Sequence, residues 1–275
     1  MFSPFASGHE AARDTAHDPT FGPHSPAPAL GSPGLAARHG ARARWLTAID
    51  LAAVTGFSIL LARLCAGLAH SIHRLHQPWR VLAAVPAAYL AADLLSGVVH
   101  WFCDTFFDED TPLVGQLVIH PFRDHHRDPL ALTRHGFLEV SGNSCLALLP
   151  VLAPMALLHG TPASATGAFI VAFAVCFSLS VFATNQLHKW AHAAARPKLV
   201  AWLQRCGLIL SPEGHALHHR RPNRKAYCVT SGWLNPPLDA IDFFARLERA
   251  VRAIEGALAG RTPAGSRSHA CVVPD

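Results

Sequence analysis

Four long apolar stretches dominate this chain and limit what it can fold into. They run from about Trp45 to Leu68, Val81 to Phe102, Ser144 to Leu158 and Thr166 to Ala183. A helix needs roughly 20 predominantly apolar residues to cross a bilayer core of about 30 Å. The first, second and fourth stretches meet that need. The third carries Pro150 and Pro154, which predict a kinked or only partly inserted segment. Of the 275 residues, 51% are hydrophobic and only 15% charged. That balance excludes an ordinary soluble domain. It predicts an all-α, polytopic membrane protein with about four transmembrane helices.

The flanks differ in character. Residues 1–40 are rich in Pro, Gly, Ala and Ser without apolar periodicity, and are expected to be a disordered tail. Residues 41–258 form the membrane domain, and 259–275 a second disordered tail. Between about Pro236 and Leu258, the residues Leu238, Ile241, Phe244, Leu247 and Val251 recur at helical spacing. They predict one amphipathic helix lying on the membrane surface or on a cap. The seven cysteines are scattered, with no C-x-x-C pair, so neither a disulfide framework nor a zinc ribbon is expected. The net charge of +5 is dispersed around the apolar stretches. A nucleic-acid partner would need basic residues gathered on one face.

That dispersal sets an orientation. Arg38, Arg42 and Arg44 precede the first stretch; Arg123, Arg127 and Arg134 lie between the second and third; Lys189, Arg196, Lys198 and Arg205 follow the fourth. With four spans these regions share one side, and the positive-inside rule makes it cytoplasmic, along with both termini. His100 and Asp104, His120 with His125 and His126, His188 and His192, and His215 with His218 and His219 all fall on that side. The hydropathy argument made no use of histidine, so the convergence independently supports one site.

Residues four apart on a helix share a face. His188 with His192 can therefore hold one metal ion between two imidazoles, and His100 with Asp104 an ion between imidazole and carboxylate. His215 can pair with His218 or with His219. Adjacent His-His pairs cannot aim both rings alike from one helix, and suit two ions or a bridge between helices. Eight histidines and one aspartate are too many for one tetrahedral zinc. Two ions with open positions fit the number. Imidazole does not by itself name the metal, but beside acyl chains iron is the choice, because unactivated C–H bonds need an oxidant. His70, His73 and His76 fall in the opposite loop and His159 in another, while His9, His17, His24, His39 and His269 fall in the tails. None of these is expected to be a ligand. Asp93, inside the second stretch, is a functional candidate as an intramembrane acid, with a helix–helix hydrogen bond as the structural alternative. Asp50 is expected at the interface.

Five stretches in order carry a resemblance: Gly97-Val-Val-His-Trp-Phe-Cys-Asp104, Pro121-Phe-Arg-Asp-His-His126, Thr133-Arg-His-Gly-Phe-Leu-Glu139, Asn185-Gln-Leu-His-Lys-Trp-Ala-His192 and Tyr227-Cys-Val-Thr-Ser-Gly-Trp-Leu-Asn235. Over about residues 80–250 the chain resembles the Kua/CarF-type lipid desaturases. The resemblance implies a membrane di-iron enzyme that uses O2 and two electrons to desaturate a lipid chain. The foremost expectation is the vinyl-ether double bond of a plasmalogen, made from a plasmanyl (alkyl-ether) phospholipid. The alternatives are desaturation or hydroxylation of ester-linked fatty acyl chains, or a non-enzymatic metal-binding role. The implied ligands are His100, Asp104, His125, His126, His188, His192, His215, His218 and His219. His135 and Glu139 would support them. His120 stands where the family pattern has arginine, and is either an additional ligand or a headgroup contact. Arg123, Arg127, Arg220 and Arg221 are candidate phosphate contacts. No cytochrome or flavin motif is visible, so electrons come from an external donor, a small b-type cytochrome or a ferredoxin with its reductase.

Overall fold

The computed structural model describes residues 44–75, 78–112, 115 and 119–259. The predicted tail 1–40, residues 260–275 of the second tail, His76, and the histidines at 9, 17, 24, 39 and 269 lie outside the described residues, as do the side chains of His73 and His120. Every regular element among the described residues is helical.

Four helices are long and apolar enough to cross a membrane: α1 (Arg44–Leu75), α2 (Pro78–Thr105), α5 (Phe137–His159) and α6 (Ala165–His192). At 1.5 Å per residue, the 28 residues each of α2 and α6 extend roughly 42 Å, about two turns more than a bilayer core. The last two turns carry His100 and Asp104 on α2 and His188 and His192 on α6, so the helices are long enough to raise them above the hydrocarbon. α1 packs along α5, and α2 along α6, which also touches α1 and α5. On α2 the small residues Ala84, Ala88 and Ala92 are fully buried, and this four-residue spacing lets the backbones of membrane helices approach closely. Large apolar side chains such as Leu51, Ile59, Leu82, Val151 and Ile170 face outward, as lipid contact requires.

The structure corrects several expectations. α5 is one continuous helix of 23 residues through both prolines, long and apolar enough to cross a membrane. Cys145, Leu148, Leu152 and Ala156 form its buried stripe, while Pro150 and Pro154 sit on the exposed face. The free carbonyl of Ala156, in the last turn, accepts from Arg63 Nε at 2.9 Å. α1 continues through His70 and His73, and α5 through His159, so these positions are helical rather than looped. Asp50 is buried. Its carboxyl lies so near the Gly142 backbone that a Cβ there would meet Oδ1 at 2.2 Å.

The remaining helices form a cap: α3 (His120–Arg127), α4 (Ala131–Arg134), α7 (Lys198–Arg205), α8 (Pro212–Ala216), α9 (Asn235–Ala240) and α10 (Phe243–Ala259). The single amphipathic helix expected at the C-terminus is instead α9 and α10, broken where Asp242 adopts φ 51°. Leu238, Phe244, Leu247 and Val251 pack against Trp101 and Tyr227, whereas Ile241 turns outward with 52% exposure.

Candidate metal centre

The last two turns of α2 supply His100 and Asp104, and those of α6 supply His188 and His192. α3 lays His125 and His126 across them. α8 starts at Ser211, whose side chain accepts from Gly214 N–H at 3.0 Å with Pro212 in the first turn. This N-cap fixes the short helix that carries His215, and the chain beyond it delivers His218 and His219.

These side chains fall into two groups. In the first, His126 Nε2 lies 3.1 and 3.2 Å from the Asp104 carboxylate oxygens. His218 Nε2 is 3.4 Å from Asp104 Oδ2 and 3.3 Å from His126 Nε2, and His100 Nε2 is 3.6 Å from Asp104 Oδ2. In the second, His215 Nε2 is 2.9 Å from both His188 Nε2 and His192 Nε2 and 3.1 Å from His219 Nε2. His125 belongs to both. Its ligand atom lies within 4.8 Å of those of His100, His126 and His218, and within the same distance of those of His192, His215 and His219. Each adjacent pair is thus divided or shared: His218 goes to the first group and His219 to the second. His215 pairs with His219 rather than His218.

Hydrogen bonding does not account for this packing. An imidazole nitrogen has one proton or one lone pair, yet His215 Nε2 has three nitrogen neighbours within 3.1 Å. The Nε2 atoms of His100 and His125 are buried without a hydrogen-bond partner. A cation accepting several lone pairs resolves both facts. Nitrogens about 2.0–2.1 Å from a zinc-like ion are separated by roughly 2.9 Å in octahedral and 3.4 Å in tetrahedral geometry, which brackets the spacings here.

The electrostatics agree. Burial, and then the neighbouring imidazoles, hold His125 and His215 well below the ordinary histidine range. Burial followed by His192, His126 and His218 pushes His219 down to about 3. Neutral rings keep the lone pairs that a metal needs. Backbone carbonyls fix the tautomers: His218 Nδ1–H donates to Lys225 O at 2.8 Å and His100 Nδ1–H to Tyr227 O at 3.2 Å. Both rings therefore turn an unprotonated Nε2 inward. Asn223 Nδ2 donates to His218 O at 2.8 Å and closes this loop.

Other candidates lie elsewhere. His135 Nδ1 and Glu139 Oε1 form a 3.0 Å pair, and Lys189 Nζ donates to the His135 carbonyl. They brace α6 against the start of α5, apart from both groups. Asp93 is fully buried, and bonds backbone amides of residues 230–234 rather than another helix. Arg123 donates to the carbonyls of Phe106 and Phe107, and Arg127 pairs with Glu109, so both tie α3 to the end of α2. The sequence reasoning missed Lys225, Tyr227 and Asn223 as ring-orienting groups. Carbonyls leave no residue-type signal, and Asn223 stands in an arginine-rich loop that reads as plain surface.

Comparison with known proteins adds an independent line. A family model described as a lipid desaturase domain matches residues 89–262. Plasmanylethanolamine desaturase of Myxococcus xanthus is 44% identical over 196 residues, covering 71% of this chain and 69% of that protein. Plasmanylethanolamine desaturase 1 of Mus musculus is 41% identical over 185 residues, covering 66% and 68%. The chloroplastic fatty acid desaturase 4 of Arabidopsis thaliana is 39% identical over 168 residues, covering 59% and 49%. No solved structure matches the chain. All nine residues of the two groups fall inside the matched region, on a scaffold of membrane-capable helices, and the chain belongs to the lipid desaturase family.

Proposed function

We propose that the protein is a di-iron desaturase of plasmanyl phospholipids, converting the alkyl-ether chain to the vinyl ether of a plasmalogen. The observation that carries this reading is the pair of histidine groups sharing His125 at one end of four membrane-capable helices. The names of the bacterial and mouse relatives favour the ether-lipid substrate. His100, Asp104, His126 and His218 would hold one iron, His188, His192, His215 and His219 the other, and His125, placed between them, would give its one lone pair to either. Bound iron supplies the activation of O2 that an unactivated C–H bond demands. The balance is R–CH2–CH2–O–R′ + O2 + 2e⁻ + 2H⁺ → R–CH=CH–O–R′ + 2H2O, with electrons from an external carrier.

The chain's own residues set the conditions. The carbonyls of Lys225 and Tyr227 hold protons on the outer nitrogens of His218 and His100, keeping the inner nitrogens as donors to metal. Burial of His100, His125, His215 and His218 excludes water, which strengthens charge interactions within the site. Asp104 contributes the negative charge that offsets cations gathered among neutral imidazoles. By the positive-inside argument this end faces the cytoplasm, within reach of a soluble or membrane-tethered electron carrier. Arg220 and Arg221, exposed beside His219, are placed to meet phosphate headgroups.

Lipid mass spectrometry tests the proposal. Cells lacking vinyl-ether lipids receive an alkyl-ether precursor and either the parent protein or His218→Ala. Acid-labile vinyl ether with the parent alone is the expected result. No vinyl ether, beside an active relative as control, would overturn the ether substrate. A two-dalton loss on ester-linked chains would then favour the acyl reaction suggested by the Arabidopsis relative.

A further inference from the structure

The segment from Ala226 to Leu234 has an unusual backbone. It is neither helix nor sheet, yet residues 226–231 are buried against two membrane-capable helices. A buried amide without a partner is costly, and within a bilayer water cannot supply one. Side chains supply the partners here. Ala226 N–H donates to the Asp239 carboxylate at 3.2 Å, Cys228 N–H to Asn235 Oδ1 at 2.8 Å and Val229 N–H to Ser96 Oγ at 2.9 Å. The largest share falls to one group. Asp93 Oδ1 accepts from the N–H groups of Thr230, Ser231 and Gly232 at 3.2, 2.7 and 3.0 Å, and Oδ2 accepts from Leu234 N–H at 3.2 Å.

This strap reaches the metal centre at its other end. Tyr227 O receives the His100 Nδ1 proton and Lys225 O the His218 Nδ1 proton. Ala226, between them, adopts φ 56°, a left-handed conformation that is unfavourable for a residue with a Cβ. Strain of that kind persists only where the surroundings over-determine the backbone. Asp93 lies seven residues before His100 on α2, roughly 10 Å along the axis, too far to touch the ions. Its reach is through the strap.

We propose that Asp93 is a positioning residue of the metal centre, anchoring residues 230–234 so that the Lys225 and Tyr227 carbonyls hold His218 and His100 in ligand orientation. The inference rests on the proposed metal centre, and it gives this intramembrane acid a task. Asp93→Asn separates the idea from simple helix packing. The amide keeps the shape and one acceptor, but turns an NH2 donor toward an N–H that now has no acceptor. The strap loses at least one of its four bonds to residue 93, and the negative charge behind the others, while the α2–α6 contact through Ala84, Ala88 and Ala92 is untouched.

The test uses metal binding rather than turnover. Full-length apo-protein in detergent is titrated with cobalt(II), reading affinity and the d–d absorption bands, for the parent, Asp93→Asn and Leu152→Ala. Leu152 is a fully buried core residue on α5, and serves as a control for general destabilisation. Loss of an outer hydrogen-bond partner commonly weakens metal binding roughly 10–100-fold. A loss of that size with altered bands is expected for Asp93→Asn, beside parent-like cobalt binding for Leu152→Ala. Parent affinity and bands in Asp93→Asn overturn the proposal, as does an equal loss in Leu152→Ala. If Asp93→Asn does not fold, Asn235→Ala, which frees the same strap at Cys228, must give the weakened and altered site. Failure of both to fold assigns Asp93 to stability alone and overturns the inference. A parent protein that binds no cobalt sinks the metal centre itself, and is distinct from every other outcome.

Discussion

Replacing His219 should weaken one metal ion and leave the other, and replacing Asp104 should do the reverse. The expectation follows from the division of the ligand atoms into two groups, between which only the His125 ligand atom lies within 4.8 Å of three partners on each side. Structural zinc sites with four ligands bind with about 10–16 kcal/mol, or roughly 2.5–4 kcal/mol for each ligand. At about 1.4 kcal/mol per factor of ten, losing one ligand costs roughly 10²–10³ in affinity. His219→Ala should therefore leave one ion at parent affinity and lower the other by that factor. Asp104→Ala should do the same for the opposite ion, and His125→Ala, whose neutral ring has one lone pair to give, should lower one of the two. Apo-protein in detergent would be titrated with zinc against a chelator of known affinity, with metal content read by elemental analysis. Equal weakening of both ions in His219→Ala would refute the division into two groups. A His125→Ala protein keeping both ions at parent affinity would refute the place of His125 among the ligands.

Three further outcomes follow from the same geometry. A Cβ added at Gly97 would lie 2.6 Å from Cys228 Sγ and 3.2 Å from Cys228 N; Gly97→Val should push the strap away and lower the melting temperature, at an overpacking cost of about 1–3 kcal/mol or more, and an unchanged melting temperature would count against the close approach. Ala226→Gly should fold, because glycine adopts positive φ freely, whereas Ala226→Val should not, because a β-branched residue is an outlier there; equal yields of folded protein from both would contradict the φ of 56°. The apo-protein should lose stability on acidification. His125, His215 and His219 have folded-state values below the ordinary 6.5, so below that pH the unfolded chain binds more protons and unfolding gains. The stability contributed is whole above about pH 6.5 and falls as the pH drops toward the value of about 3 held by His219; a melting temperature in detergent that is equal or higher at pH 5.5 than at pH 7.5 would argue against buried neutral imidazoles.

The sequence by itself determined what depends on local pattern. Apolar length gave the four membrane-capable helices, and four-residue spacing placed His100 with Asp104 and His188 with His192 on single helix faces. Hydropathy then brought all the clusters to one side. Local pattern failed where an outcome depended on what lay opposite. Pro150 and Pro154 looked disruptive in sequence, but α5 presents them away from its packing stripe. The periodicity of residues 236–258 continued through Asp242, where the backbone turns left-handed and divides the helix. Only the tertiary structure decided which imidazoles share a site, because His126 meets His218 across 92 residues of sequence. The same holds for Asp93. Its position inside an apolar helix marked it as exceptional, but its partners are backbone amides some 137–141 residues away, and peptide groups carry no sequence signature. Spacing along a helix fixes which side chains share a face. What that face meets is set by the packing of α2 on α6 and the path of the strap between them.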